Sequence, residues 1–247
     1  MWTRSDLKNR AKDRLKINYW MGFLICLILG FLGGDNSGGA SQTVSRGVTG
    51  AANYATPMGH GAQYIALLFV TVFAVAAVAS VIVVAVVVFI TNPLMVGGKR
   101  FFLVGREVKA AFGELGYAFS DSYMNVVGIM FLRDLFTFLW TLVFIIPGIV
   151  KSYEYRMISY ILAENPSISR QRAFELSREM TMGHKWDMFV LDLSFLLWYL
   201  GGAMLCGIGT LFVNPYPAAT EAELYAVLRN NVISQGITNT YELPGVF

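Results

Sequence analysis

The sequence predicts an all-α fold: a polytopic helical membrane protein with about six transmembrane helices and amphipathic helices at the interface. Composition is the first observation behind this fold class, because 55% of the 247 residues are hydrophobic and only 14% are charged. Soluble domains carry about 25% charged residues. The second observation is that residues 64–90 contain no charged side chain. In lipid the backbone groups of such an isolated span must be paired within a helix.

The chain begins with a predicted basic amphipathic helix over residues 1–18. This segment has six basic residues, and its apolar residues recur every four positions on one helical face. Thr3 followed by Asp6 resembles a capping box, which predicts where the helix starts. Residues 19–33 follow without a charge and predict the first span. A cleavable signal peptide is the alternative for this start, because a basic segment before a short apolar one is typical of both.

The next predicted elements are a loop, two spans and an interfacial helix. Residues 35–63 are rich in Gly, Ser, Thr and Ala and predict the loop. Residues 64–90 predict the second span, and Thr91-Asn92-Pro93 is expected to end it. In residues 97–122 apolar residues recur every three or four positions beside four basic ones, which predicts an amphipathic helix in the headgroup region. Residues 123–146 predict a third span.

The basic residues predict the orientation. Cytoplasmic segments of membrane proteins carry an excess of Lys and Arg, so residues 1–18 place the N-terminus in the cytoplasm. Three spans would leave the six basic residues of segment 151–185 outside. We therefore expect residues 148–164 to cross back, which leaves Arg46 as the one basic residue assigned to the outside. The spans form a single transmembrane domain, residues 19–230.

The C-terminal part of the chain predicts two more spans. Residues 167–185 predict a cytoplasmic helix with Ser167 as its N-cap. Residues 186–205 predict a further span. Residues 208–228 are the weakest of the six, since two prolines and two glutamates oppose insertion, and we interpret them as a broken helix. Residues 231–247 predict a C-terminal tail, with loop structure from the end of the last span onward.

Charged residues within the predicted spans are the candidate site. They are Arg133, Asp134, Lys151, Glu154, Arg156 and Asp192. Unpaired charges in hydrocarbon cost several kcal/mol, which makes such residues functional candidates. Lys151 and Glu154 are three residues apart on one helical face, and Arg133 with Asp134 could pair with them across a hairpin at Pro147. Two interpretations stay open: a polar conduit or recognition pocket, or inter-helix ion pairs that stabilise the fold.

Sequence motifs of catalytic, metal and nucleotide sites are absent. The only histidines are His60 and His184, in loops predicted on opposite sides of the membrane, and there is no H-E-x-x-H, C-x-x-C or G-x-S-x-G motif. The net charge of +3 is small and the basic residues are spread over several loops, which disfavours nucleic acid as a partner. We therefore expect no metal, no cofactor and no enzymatic activity.

Several short motifs occur together in the C-terminal half. They are Pro147-Gly148-Ile149 before a tyrosine-rich segment, Asn165-Pro166, Met182-Gly183-His184-Lys185 after Ser177, an L-x-L-S-F segment at 191–195, and Pro215-Tyr216. In this combination the chain resembles an uncharacterised domain-of-unknown-function family of integral membrane proteins from Gram-positive bacteria. The resemblance implies a multi-pass protein of a bacterial plasma membrane and no particular activity. More distantly, the chain is similar to the membrane domain attached to some glycerophosphodiester phosphodiesterases.

Two functions follow from these expectations. The first is an accessory or partner-binding membrane component, whose partners are the lipid bilayer and another membrane protein contacted by the two amphipathic cytoplasmic segments. The alternative is a small transporter or lipid-handling channel with a polar path formed by Lys151, Glu154, Arg156 and Asp192. The oligomeric state does not follow from the sequence.

Overall fold

The computed structural model describes residues 3–31, 61–120, 122–204 and 208–246, and within these ranges every regular element is helical. The α-helices are α1 (Arg4–Phe31), α2 (Gly61–Val86), α3 (Asn92–Val104), α4 (Tyr123–Val143), α5 (Ile145–Glu154), α6 (Ile158–Glu164), α7 (Arg170–Thr181), α8 (Lys185–Met204), α9 (Ile208–Val213) and α10 (Pro215–Ser234). A π-helical turn, Val87–Thr91, joins α2 to α3, and a 3-10 helix, Phe112–Phe119, follows α3. The all-α prediction is confirmed for these ranges, and most of the predicted loop 35–63 lies outside them.

Two stretches of helix are, by length and composition, capable of crossing a membrane. They are Tyr64–Val104, which includes α2 and α3, and Tyr123–Val143, which is α4. Every side chain of α2 from Tyr64 onward is exposed, although nearly all are apolar. The apolar part of α1, Tyr19–Ile28, is shorter than the ~20 residues that a span needs. Six spans therefore stay a prediction.

The predicted helix end at Thr91-Asn92-Pro93 is wrong, because helical structure continues through these residues to Val104. The N–H of Asn92 donates to the carbonyl of Val87, five residues earlier, which is the bond of a π-helix. Pro93 then lies in the first turn of α3, where a missing N–H costs little. The wider turn thus lets one helix pass a proline.

The predicted amphipathic helix over 97–122 is also wrong, since α3 ends within this range and a 3-10 helix begins at Phe112. The two helices pack closely. A Cβ atom on Gly97 would lie 2.2 Å from the carbonyl oxygen of Leu115. This close approach requires glycine at position 97. The single helix predicted for 97–122 is therefore the end of α3 packed against a separate 3-10 helix.

A helical hairpin joins α4 to α5. The chain reverses at Phe144, whose backbone is extended, and Pro147 lies in the first turn of α5. Gly148 contacts α4 so closely that a Cβ atom there would lie 2.5 Å from the Oγ1 atom of Thr141. The prediction that residues 148–164 form one spanning helix is wrong, because a turn separates α5 from α6.

The buried core surrounds α6, all of whose residues are buried. Tyr160 on α6 stacks on Tyr225 of α10 with ring centroids 5.0 Å apart. Leu7 and Ala11 of α1 are also buried, which confirms an apolar face on the basic N-terminal segment. However, α1 continues without interruption to Phe31, so no helix boundary lies at residue 18. The predicted N-terminal cap is confirmed, because Asp6 and Thr3 are hydrogen-bonded to each other.

The C-terminal helices differ from the expectation at their ends. Ser169, not Ser167, caps α7, because its hydroxyl accepts from the N–H of Arg172. The break in the last predicted span is present between α9 and α10, but α10 continues to Ser234, so loop structure from the predicted end of the span is wrong. Beyond α10, Leu243 is fully buried in the core.

Candidate functional site

Four charged residues from distant parts of the chain meet in one group, which we call the central cluster: Lys99, Arg156, Asp192 and Glu221. The Nη1 and Nη2 atoms of Arg156 donate to the two carboxylate oxygens of Asp192 at 2.7 and 3.1 Å. Its Nε atom donates to Glu221. The Nζ atom of Lys99 donates to the other oxygen of Glu221 at 2.7 Å. Glu221 is therefore held between two cations.

Each residue of the central cluster comes from a different element. Lys99 lies on α3, Arg156 in the turn between α5 and α6, Asp192 on α8, and Glu221 on α10. The side chains of Lys99 and Glu221 are only 9% and 11% exposed. Charged hydrogen bonds are stronger in such surroundings than in water, and losing one partner leaves a buried charge. The central cluster therefore holds four elements together.

Two tyrosines complete the central cluster. The hydroxyl of Tyr153 donates to Asp192 at 2.8 Å, and that of Tyr160 donates to Glu221 at 3.3 Å. Each carboxylate thus accepts from both a cation and a phenol. These donors fix each carboxylate in one position.

A second ion-pair group lies around Glu154. One carboxylate oxygen accepts from Lys151 at 2.7 Å and the other accepts from Lys185 at 2.6 Å. The backbone carbonyl of Glu154 accepts from Ser177 of α7 at 2.6 Å. The expected pair between Lys151 and Glu154 is therefore present, and Ser177 and Lys185 connect Glu154 to α7 and α8.

Arg133 and Asp134 form a third group. The Nη2 atom of Arg133 donates to Asp134 at 2.7 Å, and Asn92 of the π-turn region donates to the other oxygen of Asp134 at 2.8 Å. The expectation that this pair joins Lys151 and Glu154 across the hairpin is wrong. It joins α4 to the start of α3 instead.

A cavity of about 820 Å³ lies between these helices. The central cluster and the pair of Arg133 and Asp134 all line it, whereas Lys151 and Glu154 do not. Hydroxyl groups and apolar side chains form much of the remaining wall: Thr137, Thr141, Ser152, Ser159, Met95, Phe102, Phe138 and Ile149. The cavity combines charges of both signs with an apolar wall.

Sequence reasoning missed Lys99 and Glu221 as site residues. A signal exists for Glu221, because it is a charge within the predicted span 208–228, where it opposes insertion. Lys99 lies in the predicted interfacial helix, which does not form. Among the residues that the structure describes, no group of three His, Cys, Asp or Glu side chains could hold a metal ion.

Comparison with known families identifies the chain. Residues 64–232 match the family described as "Protein of unknown function (DUF975)". The chain belongs to the DUF975 family. The matched range of this DUF975 protein includes all residues of the central cluster but excludes α1 and the end of the chain.

No curated protein matches this DUF975 protein. No solved structure matches it either. The family description names no activity, and the cavity and the two apolar helices are the features of the chain that bear on function.

Proposed function

We propose that this DUF975 protein is a multi-pass protein of a bacterial plasma membrane that binds a small zwitterionic or amphiphilic molecule between its helices. One observation carries the proposal. The cavity of about 820 Å³ is bordered by both helices that are long and apolar enough to cross a membrane, through Lys99 on one and Arg133 on the other. Ligand sites commonly have volumes of about 300–1,000 Å³. This placement favours a transporter or lipid-handling protein over a purely accessory component.

Charge balance favours a zwitterionic ligand. The cavity wall carries three cations and three carboxylates: Lys99, Arg133, Arg156, Asp134, Asp192 and Glu221. All six already form ion pairs, so a bound molecule has to replace existing partners. A ligand with one charge of each sign can separate an ion pair and supply a new counter-charge to both of its members. A simple ion can supply a counter-charge to only one of them.

The apolar part of the wall favours an amphiphile. Phe102, Phe138 and Ile149 lie on the same cavity as the charges. A headgroup can pair with the charges while an acyl chain contacts these side chains. The two interpretations of the charged residues, a polar pocket and ion pairs that stabilise the fold, are compatible. The same residues can line the cavity and hold the helices together.

Orientation is part of the proposal. The basic start of the chain favours a cytoplasmic N-terminus, and residues 167–185 then lie on the same side. Single cysteines at Ser167 and Asn231, in a variant whose Cys26 and Cys206 are replaced by serine, test this orientation. We expect an impermeant maleimide to label both only after the cells are permeabilised. Labelling of both in intact cells would contradict the orientation.

Binding is tested with two zwitterionic probes on the purified full-length protein. The first is phosphatidylethanolamine with a fluorescent NBD group on an acyl chain, and the second is radiolabelled alanine. Thr137→Phe fills the cavity, and Leu142→Phe adds a ring to the exposed side of the same helix as a matched control. We expect one probe to bind saturably to the wild type and to Leu142→Phe, and at least about tenfold more weakly to Thr137→Phe.

Transport is tested with the probe that binds. Proteoliposomes should show movement of that probe across the bilayer, and Thr137→Phe should slow it while Leu142→Phe should not. If neither probe binds, or if both variants bind as the wild type does, the cavity is not the binding site and the proposal fails.

The accessory, partner-binding function is the second candidate. It is favoured by the exposed apolar surface of α2 between Tyr64 and Val86. Lipid tails alone satisfy such a surface, so it calls for a membrane more directly than for a protein partner. Stoichiometric co-purification of a second membrane protein, together with no binding of either probe, would favour this candidate instead.

A further inference from the structure

A row of three cations on α1 points to a binding site that is separate from the cavity. Arg4, Lys8 and Lys12 are four residues apart and therefore lie on one face of the helix. Arg4 and Lys12 are exposed, and Lys8 is partly buried. We call these three residues the cationic row.

The cationic row lies over aromatic side chains of two other helices. The Nζ atom of Lys8 is 4.5 Å from the ring centre of Phe195, and that of Lys12 is 5.6 Å from the ring centre of Tyr216. Lys8 also donates to the hydroxyl of Ser194 at 2.7 Å. These contacts hold the two ammonium groups on the surface where α1 meets α8 and α10.

Within the described residues, the cationic row forms no ion pair with a carboxylate. The next face of α1 differs, because the Nη1 atom of Arg10 lies 3.7 Å from Glu223. Partial burial lowers the pKa of Lys8, and repulsion by Lys12 and Arg4 lowers it further. The row therefore concentrates positive charge that an anion would stabilise.

Neighbouring apolar surface shows what kind of anion fits. In α8 the charged residues end before Ser194, and the residues that follow are mainly apolar, with Leu197 76% and Trp198 54% exposed. In α1 the apolar stretch Tyr19–Ile28 follows the row, and Trp20 within it is 70% exposed. Both helices thus change from polar to apolar next to the same cations.

This arrangement is that of a membrane surface. Lys12 and Trp20 are eight residues apart, about 12 Å along a helix, which matches the step from headgroup phosphate into hydrocarbon. A nucleic acid or an acidic protein would use the cations but would leave the exposed apolar residues in water. Anionic lipid satisfies both surfaces together.

We propose that Arg4, Lys8 and Lys12 bind the phosphate groups of anionic phospholipids at the membrane surface. The three cations lie outside the matched family range, and their binding of lipid does not depend on a ligand in the cavity. The chemistry is phosphate recognition by two or three cations, with the acyl chains lying on the exposed apolar residues of α1 and α8. Binding should weaken as salt is added, because the cations are largely exposed.

The test measures lipid binding to the purified full-length protein by native mass spectrometry. The probes are phosphatidylglycerol and, as the zwitterionic comparison, phosphatidylcholine. The double variant Arg4→Gln/Lys12→Gln removes two cations of the row and leaves Lys8 with its structural contacts. Lys109→Gln/Arg178→Gln removes two exposed cations elsewhere and is the matched control.

The expected result is a selective loss. A basic residue near an anionic surface contributes about fivefold to binding, so the row variant should bind phosphatidylglycerol roughly 25-fold more weakly. The control variant should change by less than about twofold, and phosphatidylcholine should bind all three proteins equally. Thermal unfolding temperatures within about 2 °C of the wild type would show that all three are folded.

Three outcomes would overturn the proposal. An unchanged affinity in the row variant would show that the row is not the site. Equal losses in both double variants would show that only the total charge matters. Competition by millimolar inorganic phosphate as effective as that by phosphatidylglycerol would assign the site to free phosphate and not to lipid.

Discussion

Glu221→Gln is the most informative single substitution, because Glu221 connects three donors from other parts of the fold. Its carboxylate accepts from Lys99 at 2.7 Å, from Arg156, and from Tyr160 at 3.3 Å. Glutamine keeps the shape but removes the charge. Arg156 keeps Asp192 as a partner, whereas Lys99, whose side chain is 9% exposed, loses its carboxylate. Removing one partner of a buried pair costs about 3–5 kcal/mol, and we expect about 3 kcal/mol because one of the two cations stays paired.

The assay is the free energy of unfolding from denaturant titration in detergent micelles. Glu175→Gln is the matched control, because Glu175 pairs with Arg172 at 2.9 Å but is 58% exposed, and such pairs contribute less than about 1 kcal/mol. Adding Lys99→Met to Glu221→Gln should recover about 1–2 kcal/mol, because it removes a buried cation that has lost its carboxylate. Equal losses for Glu221→Gln and Glu175→Gln, or a further loss in the double variant, would refute this reasoning.

Two further predictions concern packing and pH. Gly97→Ala should lower the free energy of unfolding by about 1–3 kcal/mol, since the new Cβ atom would lie 2.2 Å from the Leu115 carbonyl oxygen. In the same denaturant titration, Gly113→Ala, which has nothing within 4 Å, should change it by less than about 0.5 kcal/mol. Hydrogen bonds from Arg172 hold the pKa of Glu242 below its ordinary value of 4.5, so the stabilising pair is present above that pH and lost as pH falls through the folded-state pKa. Amide exchange of residues 235–246 should therefore rise on acidification after correction for intrinsic rates, and Glu242→Gln should show the faster exchange already at pH 7.

The first prediction is controlled by Gly113→Ala, and the second by comparing Glu242→Gln with the wild type. Equal losses for the two glycine variants would show that the close contact between α3 and the 3-10 helix is not maintained. If Glu242→Gln retained the same pH dependence of exchange as the wild type, another group would have to carry the effect. Both outcomes are measurable without knowledge of a ligand.

Local sequence signals predicted the elements that depend on neighbouring residues. Residues 64–90 are helical, as their uncharged apolar sequence predicts, and the cap formed by Thr3 and Asp6 uses residues three apart. Prediction failed where long-range packing competes with local signals. An Asn-Pro step is typical of a helix end. At Asn92-Pro93, however, a π-helical turn and a hydrogen bond to Asp134 on α4 accompany continued helix.

The turn at Arg156 shows why the predicted span 148–164 is not a single helix. Residues 148–164 have the length of one span, yet the turn near Arg156 divides them. The turn places this side chain against Asp192 and Glu221, and α6 then packs with all of its residues buried. The charge of Arg156 was recognised from sequence, but neither partner could be assigned to it.

Composition and local sequence determined the helical class of this protein, its most apolar segments and the list of charges that require partners, because these properties depend on residue types and on residues close together in the chain. Tertiary structure alone decided which charges meet. Lys99 and Glu221 are 122 residues apart, and nothing in either neighbourhood specifies the other. Their pairing follows from helix packing, since a buried charge is stable only where another helix brings its counterion within hydrogen-bonding distance.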